Sequence, residues 1–120
     1  MRGRGRELGR WAEDLASKYL GEKGFRVLAR NLRLRTGEVD LVCLDGDELV
    51  FVEVRCRTDN PFQGALESVG PRKMRKVLLC ARSCVEMWDF CGNWRVDVVA
   101  ITVCRDGSYR VEHLVDVVRL

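Results

Sequence analysis

The chain has 120 residues, of which 47% are hydrophobic and 32% are charged. This length and composition suit a single globular domain with one hydrophobic core and exclude a disordered tail. No apolar run approaches the roughly 20 residues that a membrane span needs, and no apolar segment of a secretory signal follows the basic start. We therefore expect a cytoplasmic protein with no membrane partner.

Basic residues are clustered along the sequence although the net charge is only +3. The three clusters are Arg2, Arg4, Arg6 and Arg10; Arg26, Arg30, Arg33 and Arg35; and Arg72, Lys73, Arg75 and Lys76. Such clusters suit contacts with phosphate groups, and solvated surface charges explain them equally well. We expect the basic residues 1–6 to be flexible and residues 1–120 to form one domain.

Six cysteines raise the question of a disulfide framework or a zinc site. None of them forms a C-x-x-C pair, and the single histidine, His113, is far from any cysteine cluster. The spacings of zinc sites are therefore missing. Because cytosolic disulfides are uncommon, we expect buried free thiols.

Apolar residues at helical spacing predict an amphipathic helix from Leu8 to about Gly21 or Gly24. Glu13 lies at the border of its apolar stripe, where it could reach the edge of a sheet. An ordinary boundary glutamate fits this position as well. Three tryptophans are expected in the core or at its edge: Trp11, Trp88 and Trp94.

The next segment predicts a strand over residues 25–34 with a turn at Thr36-Gly37, followed by a hairpin. The hairpin places carboxylates in near-continuous apolar sequence, at Gly37-Glu38-Val39-Asp40-Leu41-Val42 and Val50-Phe51-Val52-Glu53-Val54-Arg55. Side chains alternate between the faces of a strand, so Glu53 and Arg55 share one face.

The register of this hairpin decides whether the two acids meet. If residues 45–48 form a four-residue loop, Leu44 pairs with Leu49 and Asp40 lies opposite Glu53. A two-residue turn at Asp45-Gly46 makes the two acids diagonal neighbours, and a three-residue loop without a bulge separates them. Like charges placed opposite each other are destabilising, and a bound cation would remove that cost. A hairpin with a polar outer face is the alternative.

The second half of the chain predicts a helix and two strands. Asp59-Asn60-Pro61 breaks the sheet, a helix opens after Gly70-Pro71, and Gly92-Asn93 ends it. A buried strand over residues 94–103 leads through a turn at Asp106-Gly107 to a last strand at residues 109–112. The order predicts one α/β domain with a mixed sheet, α-β-β-β-α-β with an extra C-terminal strand.

This order resembles the restriction-endonuclease-like, or PD-(D/E)XK, nuclease fold and, more closely, the YraN family of small bacterial endonuclease-like proteins. The resemblance covers nearly the whole chain. It is carried by Gly9-Arg10-Trp11-Ala12-Glu13, Tyr19-Leu20, Gly24-Phe25, Arg30-Asn31, Gly37-Glu38-Val39-Asp40-Leu41, Val50-Phe51-Val52-Glu53-Val54-Arg55, Arg57, Lys73 and Arg95-Val96-Asp97-Val98-Val99.

The resemblance implies a catalytic set of Glu13, Asp40, Glu53 and Arg55. In nucleases of this fold the helix acid, the strand Asp and an E-x-K motif bind Mg²⁺ and activate water. Asp40, Glu53 and the backbone carbonyl of Val54 would hold Mg²⁺ or Mn²⁺, and no small-molecule cofactor is expected. Arg55 departs from the pattern, because it replaces a lysine and stays protonated. It can still bind phosphate bidentately.

These features leave three functions open. The first is a Mg²⁺-dependent nuclease acting on nucleic acid, with structured DNA favoured. The second is a nucleic-acid-binding module that keeps the fold without catalysis, and the third is a small interaction protein. The candidate phosphate-binding residues are Arg10, Arg30, Arg33, Arg35, Arg57 and Lys73, of which Lys73 could also supply the missing ammonium.

Overall fold

The computed structural model describes residues 2–58 and 70–117, except for the side chains of residues 2–6. These residues form two helices and five strands: α1 (Arg2–Glu22), β1 (Arg26–Leu34), β2 (Gly37–Asp45), β3 (Glu48–Thr58), α2 (Pro71–Met87), β4 (Trp94–Val103) and β5 (Tyr109–Leu114). The predicted order and the single α/β domain are confirmed. The predicted break at Asp59-Asn60-Pro61 lies outside the described residues.

The five strands form one mixed sheet in the order β1-β2-β3-β4-β5. Only β3 and β4 are parallel, because the connection between them crosses over through α2. Proline at the first position of α2 has the fixed φ that a helix start needs. Neither helix in the described part of the chain is long and apolar enough to cross a membrane.

The two helices cover opposite faces of the sheet. Small residues of α1, Ala12 and Ala16, pack with Leu20 on a face that includes Val50 and Val52. The other face packs against α2. A strand that is covered on both faces has no solvent-exposed face, which explains the near-continuous apolar sequences of β3 and β4.

Helix α1 begins at Arg2, six residues before the apolar pattern begins. This added segment alternates arginine with Gly3 and Gly5, and because glycine disfavours helix, propensity does not explain the extension. Gly24, with φ 95°, takes the left-handed conformation that follows many helices and confirms the predicted end. Flexibility of residues 1–6 stays a prediction. Helix α2 ends at Met87, before the predicted Gly92-Asn93.

The central hairpin has the predicted register but a shorter loop. Leu44 pairs with Leu49, and pairing continues to Asp45 and Glu48, so the turn contains two residues and not four. Gly46, with φ 61°, adopts the positive φ that tight hairpin turns require.

The regular alternation of side chains between the two faces of the sheet is interrupted at Asp40. Val39 and Leu41 are two residues apart, yet Leu41 packs with α1 and Val39 packs with α2. The same switch occurs on β1 at Asn31, which has φ 53° and lies between the paired positions Arg30–Leu41 and Leu32–Val39. Pairing of β2 with β3 stops next to this point, at Leu41–Val52. Asp40 therefore lies where the two central strands separate.

The cysteine prediction is correct for three of the six. Cys43, Cys80 and Cys84 are buried free thiols, whereas Cys91 is exposed in the turn after α2. Cys56 and Cys104 are half-buried. Burial, followed by the nearby Asp97 carboxylate, raises the pKa of Cys43 to about 12, so this thiol is an apolar core group.

Candidate functional site

A cavity of about 260 Å³ opens where β2 and β3 separate. It receives side chains from both helices and from the two central strands. The residues that line it are Leu8, Gly9, Ala12, Glu13, Asp40, Glu53, Val54, Arg55, Cys56 and Lys73. The structure thus brings the four predicted catalytic residues, Val54 and Lys73 to one place.

Asp40 is held in place by the neighbouring strand. Its Oδ2 accepts a hydrogen bond of 2.8 Å from the backbone N–H of Val54. This bond replaces the strand pairing that ends at Leu41–Val52. The residue is half-buried and lines the cavity, and its side chain also hydrogen-bonds the Glu53 carboxyl group.

Among the described acids, Glu53 has the most strongly shifted pKa. The residue is only 2% exposed, and its Oε2 is buried without a hydrogen-bond partner among the described residues. Burial and then the neighbouring Asp40 carboxylate raise the pKa of Glu53 to about 8, against the smaller opposing effects of Lys73 and Arg55. Asp40 and Glu53, on adjacent strands, therefore lie together in a buried region. The Oε2 atom of Glu53 has no hydrogen-bond donor among the described residues.

Lys73 supplies a cation to the same cavity from the first turn of α2. Its Nζ lies 3.7 Å from Glu53 Oε1 and 3.3 Å from Glu38 Oε1. Burial acts to lower the pKa of Lys73, but the carboxylates of Glu53 and Glu38 outweigh it and raise the pKa overall. The side chain is therefore an ammonium at neutral pH and acts as a partial counter-charge to the two strand acids.

Gly37 lets α2 approach the sheet closely enough for this contact. A Cβ added at Gly37 would collide with the backbone carbonyl of Lys76, one turn after Lys73. Glycine is thus required for the close approach of two backbones. The sequence analysis had marked Gly37 as part of a turn and of the Gly37-Glu38-Val39-Asp40-Leu41 motif, but not as a point of contact with α2.

Glu13 lies on the wall of the cavity that α1 provides. Its side chain is half-buried, as predicted for the border of the apolar stripe, and its Oε1 is 3.8 Å from Arg30 Nη2. Within residues 2–58 and 70–117, no group of three or more His, Cys, Asp or Glu side chains is close enough to hold a metal ion. Glu13, Asp40 and Glu53 therefore line one cavity without forming a three-carboxylate metal site.

The two arginines of β3 differ in position. Arg55 lines the cavity beside Glu53. Arg57 is half-buried, and its Nε and Nη1 have no hydrogen-bond partner in the described part of the chain. Arg57 is not among the described residues that line the cavity, so the structure does not bring it to the acids.

The remaining candidate phosphate-binding residues differ in their positions. Arg10 and Arg33 are exposed and line an adjoining cavity of about 470 Å³ together with Glu13. Arg30 is paired with Asp14 at 2.8 Å, which reduces its availability for phosphate. Arg35 is exposed in the β1–β2 turn. Arg33 is also paired, with its Nε 3.5 Å from Glu38 Oε2. Arg10 and Arg33 thus place positive charge on the side of the cavity next to β1.

A second buried cluster of charges was not predicted. Asp97 is fully buried on β4 and accepts hydrogen bonds from Arg95, His113 and the backbone N–H of Asp116, at 2.8 to 3.2 Å. Lys23 Nζ lies 2.7 Å from the other ring nitrogen of His113. Charged residues at alternate positions of an otherwise buried strand, Arg95 and Asp97, were the signal available in the sequence.

Comparison with known proteins places this chain in a family. The model of the uncharacterised protein family UPF0102 matches residues 12–101. The chain belongs to this family. A UPF0102 protein of Anaeromyxobacter dehalogenans is 50% identical over 117 residues, which is 92% of this chain and 84% of the relative. One of Syntrophomonas wolfei is 40% identical and covers 92% and 96% of the two chains. The YraN-like assignment is therefore confirmed.

Proposed function

We propose that this UPF0102 protein is a nuclease of the restriction-endonuclease-like, PD-(D/E)XK, fold that hydrolyses phosphodiester bonds with Mg²⁺ or Mn²⁺. The observation that carries the proposal is the pair of acids at the point where β2 and β3 separate. Asp40 is fixed by Val54 N–H, and Glu53 has a buried oxygen without a donor.

The donor set suits a small divalent cation. Mg²⁺ prefers oxygen ligands and takes one or two carboxylates together with waters and phosphate oxygens. Asp40 and Glu53 would hold it, with the Val54 carbonyl beside them, and Glu13 would act through a water. When bound, the ion would neutralise charge on the scissile phosphate and make a coordinated water more acidic.

Two cationic side chains, Arg55 and Lys73, would assist the metal ion in stabilising the phosphate charge. Arg55 stays protonated and can bind a phosphate with two parallel hydrogen bonds. Lys73 is held as an ammonium by Glu38 and Glu53, so it too acts as a charge and not as a base. Both stabilise negative charge that develops on the phosphate, and the exposed Arg10 and Arg33 guide the strand toward the cavity.

The test is cleavage of labelled DNA and RNA, single-stranded, duplex and branched, with and without Mn²⁺. We expect metal-dependent cleavage by the native chain, and loss of at least about 100-fold in Asp40→Asn and Glu53→Gln. Asp47→Asn is the matched control, because Asp47 is an exposed acid in the turn of the same hairpin. Equal cleavage by all four proteins would indicate a contaminant and refute the proposal.

A non-catalytic nucleic-acid-binding module is the second candidate, and the arginine at position 55 favours it. The variant Arg55→Lys restores the lysine of the nuclease pattern. If only this variant cleaves, while the native chain binds nucleic acid with a strong salt dependence, the binding module is the better description. Cleavage by the native chain supports the nuclease.

A further inference from the structure

Lys73 lies between two neighbouring cavities. It lines the cavity that contains Asp40 and Glu53, and it also lines a second cavity of about 300 Å³. The other described residues around the second cavity are Arg33, Leu34, Gly37, Glu38 and Lys76. Among the described residues Lys73 alone lines both cavities, so its side chain lies at the boundary between them.

Each cavity provides one acid for the Lys73 ammonium. Nζ is 3.7 Å from Oε1 of Glu53 in the first cavity and 3.3 Å from Oε1 of Glu38 in the second. The side chain of Glu53 is 3% exposed and that of Glu38 is 52% exposed. Glu38 is also held by a second cation, because its Oε2 is 3.5 Å from Nε of Arg33. Glu38 therefore offers the ammonium a contact that does not depend on Glu53.

A divalent cation on Asp40 and Glu53 would compete with Lys73 for the same carboxylate. Positive charges at such short distances repel each other strongly where little water screens them, and Glu53 is buried. Lysine has a flexible four-carbon stem, and the side chain of Lys73 is 32% exposed. It can therefore give up the contact with Glu53 and keep the shorter one with Glu38, which is not among the described residues that line the first cavity.

We propose that Lys73 is a displaceable counter-ion of Glu53, and that Glu38 retains its ammonium when a divalent cation binds to the acid pair. This inference rests on the proposed function and adds to it a residue that sets the affinity for the ion. Glu38 is a positioning residue, because it acts on the ion only through Lys73. The displaced ammonium stays beside the first cavity, where it can contact a phosphate oxygen of the substrate.

A double-mutant cycle tests the proposal, with Mn²⁺ binding measured by isothermal titration calorimetry. The four proteins are the native chain, Glu38→Gln, Lys73→Met and the double variant. In the native background Glu38→Gln should weaken Mn²⁺ binding roughly 3- to 100-fold, because the ammonium then remains on Glu53. In the Lys73→Met background the same substitution should change the affinity by less than about 2-fold.

Lys76→Met is the matched control, because Lys76 is an exposed lysine that lines the second cavity one turn after Lys73. Glu38→Gln should weaken Mn²⁺ binding by the same factor with and without Lys76→Met. Crystal structures without metal and with Mg²⁺ give a direct second readout. With Mg²⁺ bound, Nζ of Lys73 should keep its contact with Glu38 and lie beyond the roughly 4 Å of an ion pair from Glu53.

Two results would refute the displacement of Lys73. One is a Mg²⁺-bound structure in which Lys73 keeps its contact with Glu53, and the other is an equal loss of affinity from Glu38→Gln in the presence and absence of Lys73. Both results are compatible with metal-dependent cleavage and would contradict only this inference. If the native chain binds no Mn²⁺ at all, the proposed function fails together with the inference.

Discussion

Asp97 and Glu53 are both buried acids of the central sheet, on the parallel strands β4 and β3, but their surroundings differ. Asp97 accepts hydrogen bonds from the Arg95 guanidinium, the His113 ring and the Asp116 backbone. Glu53 has a buried Oε2 without a described donor, a second acid beside it, and one ammonium at 3.7 Å. The first acid is compensated by the fold alone. The second is not compensated as a carboxylate within the described fold, which is why its pKa is raised to about 8. This difference is the basis of our proposal that Glu53 binds a cation and that Asp97 is structural.

Removing the compensated acid should produce the largest effect. Asp97→Ala removes the acceptor of the buried His113 ring and of the Asp116 backbone N–H. Arg95 loses one of its three carboxylate partners and keeps Asp45 and Glu48. We expect a loss of about 3–5 kcal/mol in the free energy of unfolding, measured by urea denaturation. Glu112→Ala, at an exposed acid on β5, is the control and should stay within about 0.5 kcal/mol. An equally small change in Asp97→Ala would remove the distinction between the two acids.

Replacing the uncompensated acid, Glu53, should have the opposite effect and stabilise the folded protein at alkaline pH. The pKa of Glu53 is about 8 in the folded chain and near 4.5 when unfolded. Between these two pH values the unfolded chain releases the proton first, so the folded state loses stability as pH rises, by about 1.4 kcal/mol per pH unit at most. Glu53→Gln cannot titrate and should be the more stable protein at pH 8.5, by a few kcal/mol, with little difference at pH 4.5.

Unfolding of both proteins at four pH values between 4.5 and 9 checks this prediction. Glu112→Gln is the matched control, because it makes the same substitution at an exposed position, and its curve should follow the native one. A native chain that is as stable as Glu53→Gln across the whole range would show that Glu53 is adequately compensated within the fold.

Substitution of Gly37 should have a smaller effect on stability. Gly37 lets α2 lie close to β2, and this places Lys73 near Glu53. Gly37→Ala forces the backbones of β2 and α2 apart and should cost about 1–3 kcal/mol, as overpacking does. Gly21→Ala is the control, because a Cβ there meets nothing within 4 Å and alanine favours helix. Calorimetry of the two variants should shift the melting temperature in opposite directions, and a shared direction would contradict the assigned close approach.

The contrast between the acids also marks what the sequence could predict. Asp40 and Glu53 were found because alternation along two apolar strands is a local rule, and two of the three hairpin registers left open bring the two acids together. Strand β4 was predicted with correct bounds for the same reason, since its apolar run is continuous. The loop length was wrong because the sequence did not show that pairing continues to Asp45 and Glu48.

Contacts between residues that are far apart in the sequence could not be predicted from these local patterns. The approach of Lys73 to Glu53 depends on where the crossover sets α2 against β2, which is fixed by Gly37 and Lys76. The Asp97 cluster joins residues that are 16 and 19 positions apart, and His113 reaches Lys23 across 90 positions. The zinc-site spacings said nothing about the structural role of His113, whose ring hydrogen-bonds the Asp97 carboxylate on the neighbouring strand.

Addition of Mg²⁺ should produce the smallest of these effects on stability and is specific to the uncompensated acid. At ten times the dissociation constant, binding adds about 1.4 kcal/mol to the free energy of unfolding. Because Glu53 must lose its proton to act as a ligand, the gain should be larger at pH 8.5 than at pH 6.5. Asp40→Asn should lose the gain and Asp47→Asn should keep it, as thermal melts at both pH values would show. An equal gain in both variants would mean that the ion binds elsewhere, and Glu53 would then have to be compensated by Lys73 alone.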